Sequence, residues 1–438
     1  MKTFLTLLFF ATSIISSYSQ NITIPDVNFK SALLGNSLIN TNADSEIQVS
    51  EASAFAGLIS VSGLGIQDLT GIETFVSLQR LECGSNVLTV LNVTANINLR
   101  DLSCESNRLT ALNLAANTQL TTLQCGGNQL TTLILNSNYY LNFLDCSYNQ
   151  LANLNLSGKR YLEYVSCLNN FLGSLDINGD TALAFLYCNG NRLTSLDVST
   201  NISLDQLDLK FNQVANIDVS NNPALTFLDC HDNLITDLNV TGATVLNTLD
   251  CSNNLLTNLD PSTNTALTYL SASFNQLTNL NASANQALII LDVIYNRLVN
   301  LNFKNGNNTI VYSFSSEGNP NLHCIQVDNS NYSDTAFGWQ KDLIASYSSN
   351  CTSEIGTDFF VNSSFFIYPN PAHEAFNIEL KVDPDNSFLE IIDHLGKKIY
   401  YAEFGENLVT IVNILKPGFY FVRVKNGNTS LMKKLIIL

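Results

Sequence analysis

Basic side chains are scarce in this chain: 20 Lys and Arg stand against 37 Asp and Glu, for a formal net charge of −17. The deficit is local. Residues 359–438 hold eight basic and eight acidic side chains, so setting Lys2 aside leaves −18 on residues 20–358. That balance argues against nucleic acid or anionic membrane as a partner, because both carry negative charge. Charged residues make up only 13% of the chain and hydrophobics 45%, which excludes a largely disordered polymer. The four histidines, His231, His323, His373 and His394, are scattered. No metal-binding helix motif, phosphate loop or nucleophile elbow accompanies them. His231 lies near Asp229 and reads as a solvated surface side chain, so the residues predict no enzyme. Long apolar runs are missing too: Phe4 to Ile15 is too short to span a bilayer, and no later stretch qualifies.

That short run reads instead as a secretory signal over residues 1–19, with Lys2 as its charged start and Ser17-Tyr18-Ser19 as a small-residue cleavage site. No cysteine sits at the cleavage site, so a lipid anchor is not expected. Export implies an oxidising compartment, where disulfides persist.

What the rest of the chain has in abundance is repetition. Asparagine recurs every 21 residues from Asn86 to Asn296, and leucine keeps step from Leu78 to Leu288. Cysteine holds a third column at Cys83, Cys104, Cys125, Cys146, Cys167, Cys188, Cys230 and Cys251. One unit reads Leu78-x-x-Leu81-x-Cys83-x-x-Asn86-x-Leu88, which resembles the leucine-rich-repeat pattern. Alternation of the Leu81 and Cys83 kind makes a short strand with one face inward, and no unit can bury that face alone. The expectation is a mostly β solenoid of about eleven 21-residue coils over residues 58–310. Caps at 20–57 and 311–356 close it, and a linker at 357–364 leads to a small β-sandwich at 365–438. Leu196-Asp197-Val198 and its equivalents predict a second short sheet on the opposite side. The Asn column should hydrogen-bond backbone between coils, and the Cys column should be reduced and buried. A spacing of 21 lacks the clustered ligand pairs of a zinc site.

Each cap carries one feature of note. In the first, Asn40 to Glu51 resembles an EF-hand loop, with Asn42, Asp44 and Glu51 at ligand positions three, five and twelve. Asn40 replaces the first aspartate and Ser45 the turn glycine, so the loop is either a weak calcium site or a calcium-free turn. In the second, Cys324 and Cys351 lie off the repeat column and form a natural disulfide pair, and Trp339 to Tyr347 predicts a short helix.

Outward strand positions vary from coil to coil, and variation on a fixed scaffold is where recognition can live. One column runs Phe143, Tyr164, Phe185, Gln206, Phe227, Thr248, Tyr269, and its neighbour includes Tyr187, Asp208, Asp229 and Asp250. A third holds Tyr148, Phe211, Phe274 and Tyr295. The aromatic and acidic members, Phe143, Tyr164, Phe185, Tyr187, Asp208, Phe227, Asp229, Asp250 and Tyr269, form an exposed strip able to stack on sugars or clamp basic side chains. The consecutive aspartates repel one another, which a bound cation or basic partner would relieve. The expected role is protein or glycan binding, as in adhesion. The alternative is a surface spacer whose aromatics merely suit strands. A further column, Asp176, Asp197, Asp218, Asn239, Asp260 and Asn281, reads as turn hydrogen bonding.

Beyond residue 365 the repeat gives way to short β-runs separated by turn signals. Tyr368-Pro369-Asn370-Pro371, then Gly396, then Gly418 with Tyr420, then Lys433 resemble the C-terminal sorting domain of type IX secretion substrates. The resemblance implies contact with that secretion machinery. It also implies a Gram-negative source, passage of the outer membrane, removal of the domain there, and a secreted or surface-held product.

Overall fold

In the computed structural model the described residues are 20–351 and 365–438, the latter without 374, 381–386, 394–395, 405–407, 413–414 and 427–428. The expected leader at 1–19 and linker at 357–364 lie outside them. The chain is mostly β, and its coils stack into a solenoid of about fourteen turns. Compactness divides it into two units, with the break after Leu172.

In the first unit, strands from Leu58–Ser60 to Tyr164–Ser166 pair parallel in chain order, each three residues long with its central residue buried. Ahead of them lies the helix Val27–Leu34, capped by Asp26, which accepts from the Asn28 and Phe29 amides. In the second unit the same pairing runs from Phe185–Tyr187 to Trp339–Gln340. The opposite side forms short parallel sheets as well, for example Asn279–Asn281 with Asn300–Asn302.

Two Asn ladders hold coil to coil. In the expected one, Asn254 Nδ2 donates to the Cys230 and Cys251 carbonyls at 3.0 and 3.1 Å, and its Oδ1 accepts from the Ile235 amide. One amide thus satisfies three buried backbone groups of neighbouring coils. The second ladder was not anticipated: Asn96, Asn117, Asn138, Asn201, Asn222, Asn264 and Asn285 are fully buried. Asn222 Nδ2 donates to the Val198 and Asn201 carbonyls at 3.0 and 2.9 Å. Only the donor end works here, since the Oδ1 atoms of this ladder have no partner among the described residues. That explains how Lys159 serves as a rung: its buried Nζ donates to the Leu135 carbonyl at 2.8 Å. All eight column cysteines are buried, and burial pushes up the thiols of Cys83, Cys104, Cys125, Cys146, Cys230 and Cys251, and that of Cys167 to about 12.

Two expectations need correction in and around the second cap. The solenoid does not stop near eleven coils, because Ser313–Ser315 and Trp339–Gln340 extend the first sheet. The predicted helix from Trp339 to Tyr347 is absent, its ends being the strands Trp339–Gln340 and Ser346–Ser348. Weak helical preference yields to the open edge of the stacked sheet, which supplies backbone partners and an aromatic wall, with Phe314 4.8 Å from Trp339 between ring centroids. A short helix, Ser330–Ser333, lies just upstream instead. Cys324 and Cys351 are disulfide-bonded.

Two antiparallel sheets follow. One joins Phe365–Tyr368, Ala375–Leu380 and Leu408–Val412, the other Lys398–Glu403, Ser387–Asp393, Gly418–Asn426 and Thr429–Ile437. Phe365, Ile378, Leu389, Ile391, Val422 and Leu435 form their common core.

Candidate functional site

The strand face of the second unit concentrates the expected binding residues. Parallel in-register pairing sets Gln206 beside Phe227, Phe227 beside Thr248 and Thr248 beside Tyr269. The same register sets Tyr187 beside Asp208, then Asp229 and Asp250 in line. Residues two apart on a strand share a face, so aromatic and acidic columns run side by side. In the first unit Phe143 and Tyr164 stack with centroids 4.4 Å apart.

The strip is less exposed than expected. Its aromatics are half-buried, while Asp208 and Asp229 are only 8% and 6% exposed. Burial makes their charge costly unless it is paired. Two cations from the chain itself provide the pairing. Lys210 Nζ lies 3.2 Å from Asp208 and 2.9 Å from Asp229, and His231 Nδ1 lies 2.6 Å from the other Asp229 oxygen. His231 is therefore a half-buried ion-pair member and not a solvated histidine. It also packs edge-on against Phe211, centroids 4.9 Å apart.

These contacts split the carboxylates. Burial works to raise the pKa of Asp229, but the His231 and Lys210 contacts outweigh it and hold the carboxyl below its ordinary value. Burial and the Asp229 charge push Asp208 and Asp250 up. Burial favours neutral His231, yet its bond to Asp229 and the surrounding carboxylates raise its pKa above 6.5. Tyr269 is pushed up to about 12 by burial and the Asp250 charge. Ligand atoms of Asp229, His231 and Asp250 lie within 4.8 Å of one another, a spacing open to a metal ion. Both oxygens of Asp229 already face cationic donors, so the chain supplies its own counter-charge. The relief of aspartate repulsion assigned to an outside cation is thus largely internal.

In the Asn40–Glu51 loop the expected ligand groups are hydrogen-bonded within the turn. Glu51 accepts from the Thr41, Asn42 and Gln48 amides, and Asp44 accepts from the Glu46 amide and the Asn42 and Gln48 side chains. Asn40 Nδ2 donates to the Asp44 carbonyl, and the left-handed residue is Ala43, φ 57°, two positions ahead of Ser45.

The column Asp176 to Asn281 does bond turns: Asp197 and Asp218 each accept the amide two residues on. In the C-terminal sheets, Asn370 bonds the Lys434 carbonyl at 2.7 Å and the Ile436 amide at 2.9 Å, tying Tyr368-Pro369-Asn370-Pro371 to the last strand. Tyr420 donates to the Lys416 carbonyl, Lys433 sits over the Phe366 ring, and Gly396 takes a φ of 78°. Sequence reading missed Lys210 as a site member and the exposed Tyr140–Tyr161 stack, 6.0 Å between centroids. The 21-residue register that sets 140 beside 161 was the available signal for the stack.

Residues 366–438 match the family described as the secretion system C-terminal sorting domain. Among solved structures, the chain is similar to the functional domain of InlJ from Listeria monocytogenes, which includes a cysteine ladder. Identity is 24%, over 96% of this chain and 98% of that one, with a TM-score of 0.54. It is also similar to the internalin inlF from Listeria monocytogenes, 17% identical over 77% and 99% of the two chains, TM-score 0.51. Both likenesses are of fold. No curated protein matches the chain in sequence. Among the described residues no helix is long and apolar enough to cross a membrane.

Proposed function

We propose that this leucine-rich-repeat solenoid is a non-enzymatic recognition protein, exported through its C-terminal sorting domain and binding a protein ligand on its strand face. The observation that carries the reading is the aromatic column Phe185, Phe227, Tyr269 in register beside the carboxylates Asp208, Asp229 and Asp250. Half-buried rings offer apolar edges at little cost in side-chain freedom, and ion pairs fix the acids in place. Such a surface suits a partner with apolar and basic side chains. The match at 366–438 supports export, with the secreted pool or the outer-membrane surface of a Gram-negative bacterium as the proposed destination.

The test is a binding panel of extracellular-matrix proteins and glycans probed with the protein and with Phe185→Ala/Tyr187→Ala. A protein hit whose affinity falls about tenfold or more in the variant supports the reading. Hits unaffected by the substitution, or glycan hits alone, overturn it.

A further inference from the structure

Beside the strand face runs a ledge whose backbone is unusual. The residue following each outward post-strand position is left-handed, including Tyr148, Phe211, Phe274 and Tyr295 with φ between 51° and 54°. Gly, Asn and Asp adopt that conformation readily, and bulky aromatics seldom do. Gly127, Gly190, Asp232 and Asn253 fill equivalent positions, so the coil does not need a ring there. Strain kept at such a place points to a use for the side chain.

Part of this ledge is covered. The strand Gly418–Asn426 of the sorting domain alternates, with Tyr420, Val422 and Val424 entering that domain's own core. Phe421 is outside this core yet only 6% exposed, because its ring meets Phe274 at 4.4 Å between centroids. Two residues on, Arg423 Nη2 donates to Tyr295 Oη at 3.2 Å. From the adjacent strand, Lys434 Nζ reaches the Asn253 carbonyl at 3.5 Å. The acidic solenoid thus receives one aromatic and two cations from the charge-balanced domain.

We propose that the sorting domain is an intramolecular mask, and that the Phe274–Tyr295 ledge it covers docks an extended protein segment bearing an aromatic with a cation two residues on. The masking strand shows the required chemistry: the aromatic packs at a tilt against Phe274, and the cation bonds the Tyr295 hydroxyl. A partner meets the ledge only when the mask is displaced. The inference rests on the recognition reading above, and it concerns the ledge, not the strand face carrying Phe185.

The experiment uses the full chain and a labelled peptide with the sequence of residues 418–426. Full-length Phe421→Ala should bind this peptide at least about tenfold more tightly than the wild type, because its ledge is no longer occupied. Adding Phe274→Ala should abolish the gain. Chemical labelling of Tyr295, read by mass spectrometry, should be slow in the wild type and fast in Phe421→Ala. Arg423→Gln, which removes one ion pair to Glu390 but leaves that carboxylate paired with Lys398 and Lys425, should reproduce both effects if Phe421→Ala perturbs folding. Equal peptide affinity in wild type and both release variants overturns the proposal, as does absence of binding to all of them. So does a gain that survives loss of Phe274. Substitution at Phe185 and Tyr187 should leave peptide binding unchanged, so failure here is separate from failure of the strand-face reading.

Discussion

At the scale of the residue, position in the repeat says less than the neighbours each side chain meets. Asp208, Asp229 and Asp250 occupy one column, yet Asp229 is held down while the other two are pushed up. The difference is the paired cations on Asp229. His231 makes this testable. Its pKa in the fold is raised above 6.5, so its stabilising effect is fully present below pH 6.5 and fades as pH rises through the raised value. Against His231→Gln, the wild type should be more stable by about 1–2 kcal/mol at pH 6, with the gap closing at higher pH. Denaturation at a series of pH values reads this directly. A gap that widens with pH would refute the ion pair. Sequence could place Asp229 and His231 two residues apart, but two apart on a strand only means a shared face. Whether the imidazole turns toward the carboxylate depends on packing against Phe211.

At the scale of the element, each coil is three strand residues followed by turns whose polar groups must be answered from next door. The Asn86-to-Asn296 ladder was legible because one residue type fills it without interruption. The second ladder was not, since Lys159, Asp180 and Ala243 break its run and disguise a site defined by donors. Asn222→Ala should cost about 1–3 kcal/mol, because the Val198 and Asn201 carbonyls lose a buried donor. The exposed Asn258→Ala should change stability by no more than about 0.5 kcal/mol. Urea unfolding compares the two, and equal effects would show that the second ladder is dispensable. The mistaken helix after Trp339 belongs to the same scale. Local pattern there carries no information about the open sheet edge left by Ser313–Ser315.

At the scale of the molecule, a solenoid is held by contacts between neighbours, so its ends are the places where fraying begins. The Cys324–Cys351 bond closes a separation of 27 residues in the last described coils before the sorting domain. Removing it as Cys324→Ser/Cys351→Ser should lower stability by about 3–4 kcal/mol through the freed unfolded chain. Reductant should bring the wild type to the same melting temperature and leave the variant unchanged. No shift on reduction would show that the aromatic cluster around Trp339 closes this end without help. The sorting domain bears on the solenoid short of that end, where its Phe421 meets Phe274 with three strands of the first sheet still to follow. One domain can therefore serve both as an address and as a cover.

The sequence by itself determined the coil, its inward columns, the disulfide pair and the sorting motif, because a period of 21 repeats one set of local rules that can be read without coordinates. It also located the strip from Phe185 to Tyr269, since register follows from the period. Only the tertiary structure decided how buried that strip is, which cations answer its aspartates, and what lies over the ledge beside it. Those outcomes depend on side-chain packing and on contacts between residues as far apart as Tyr295 and Arg423, which no repeat encodes.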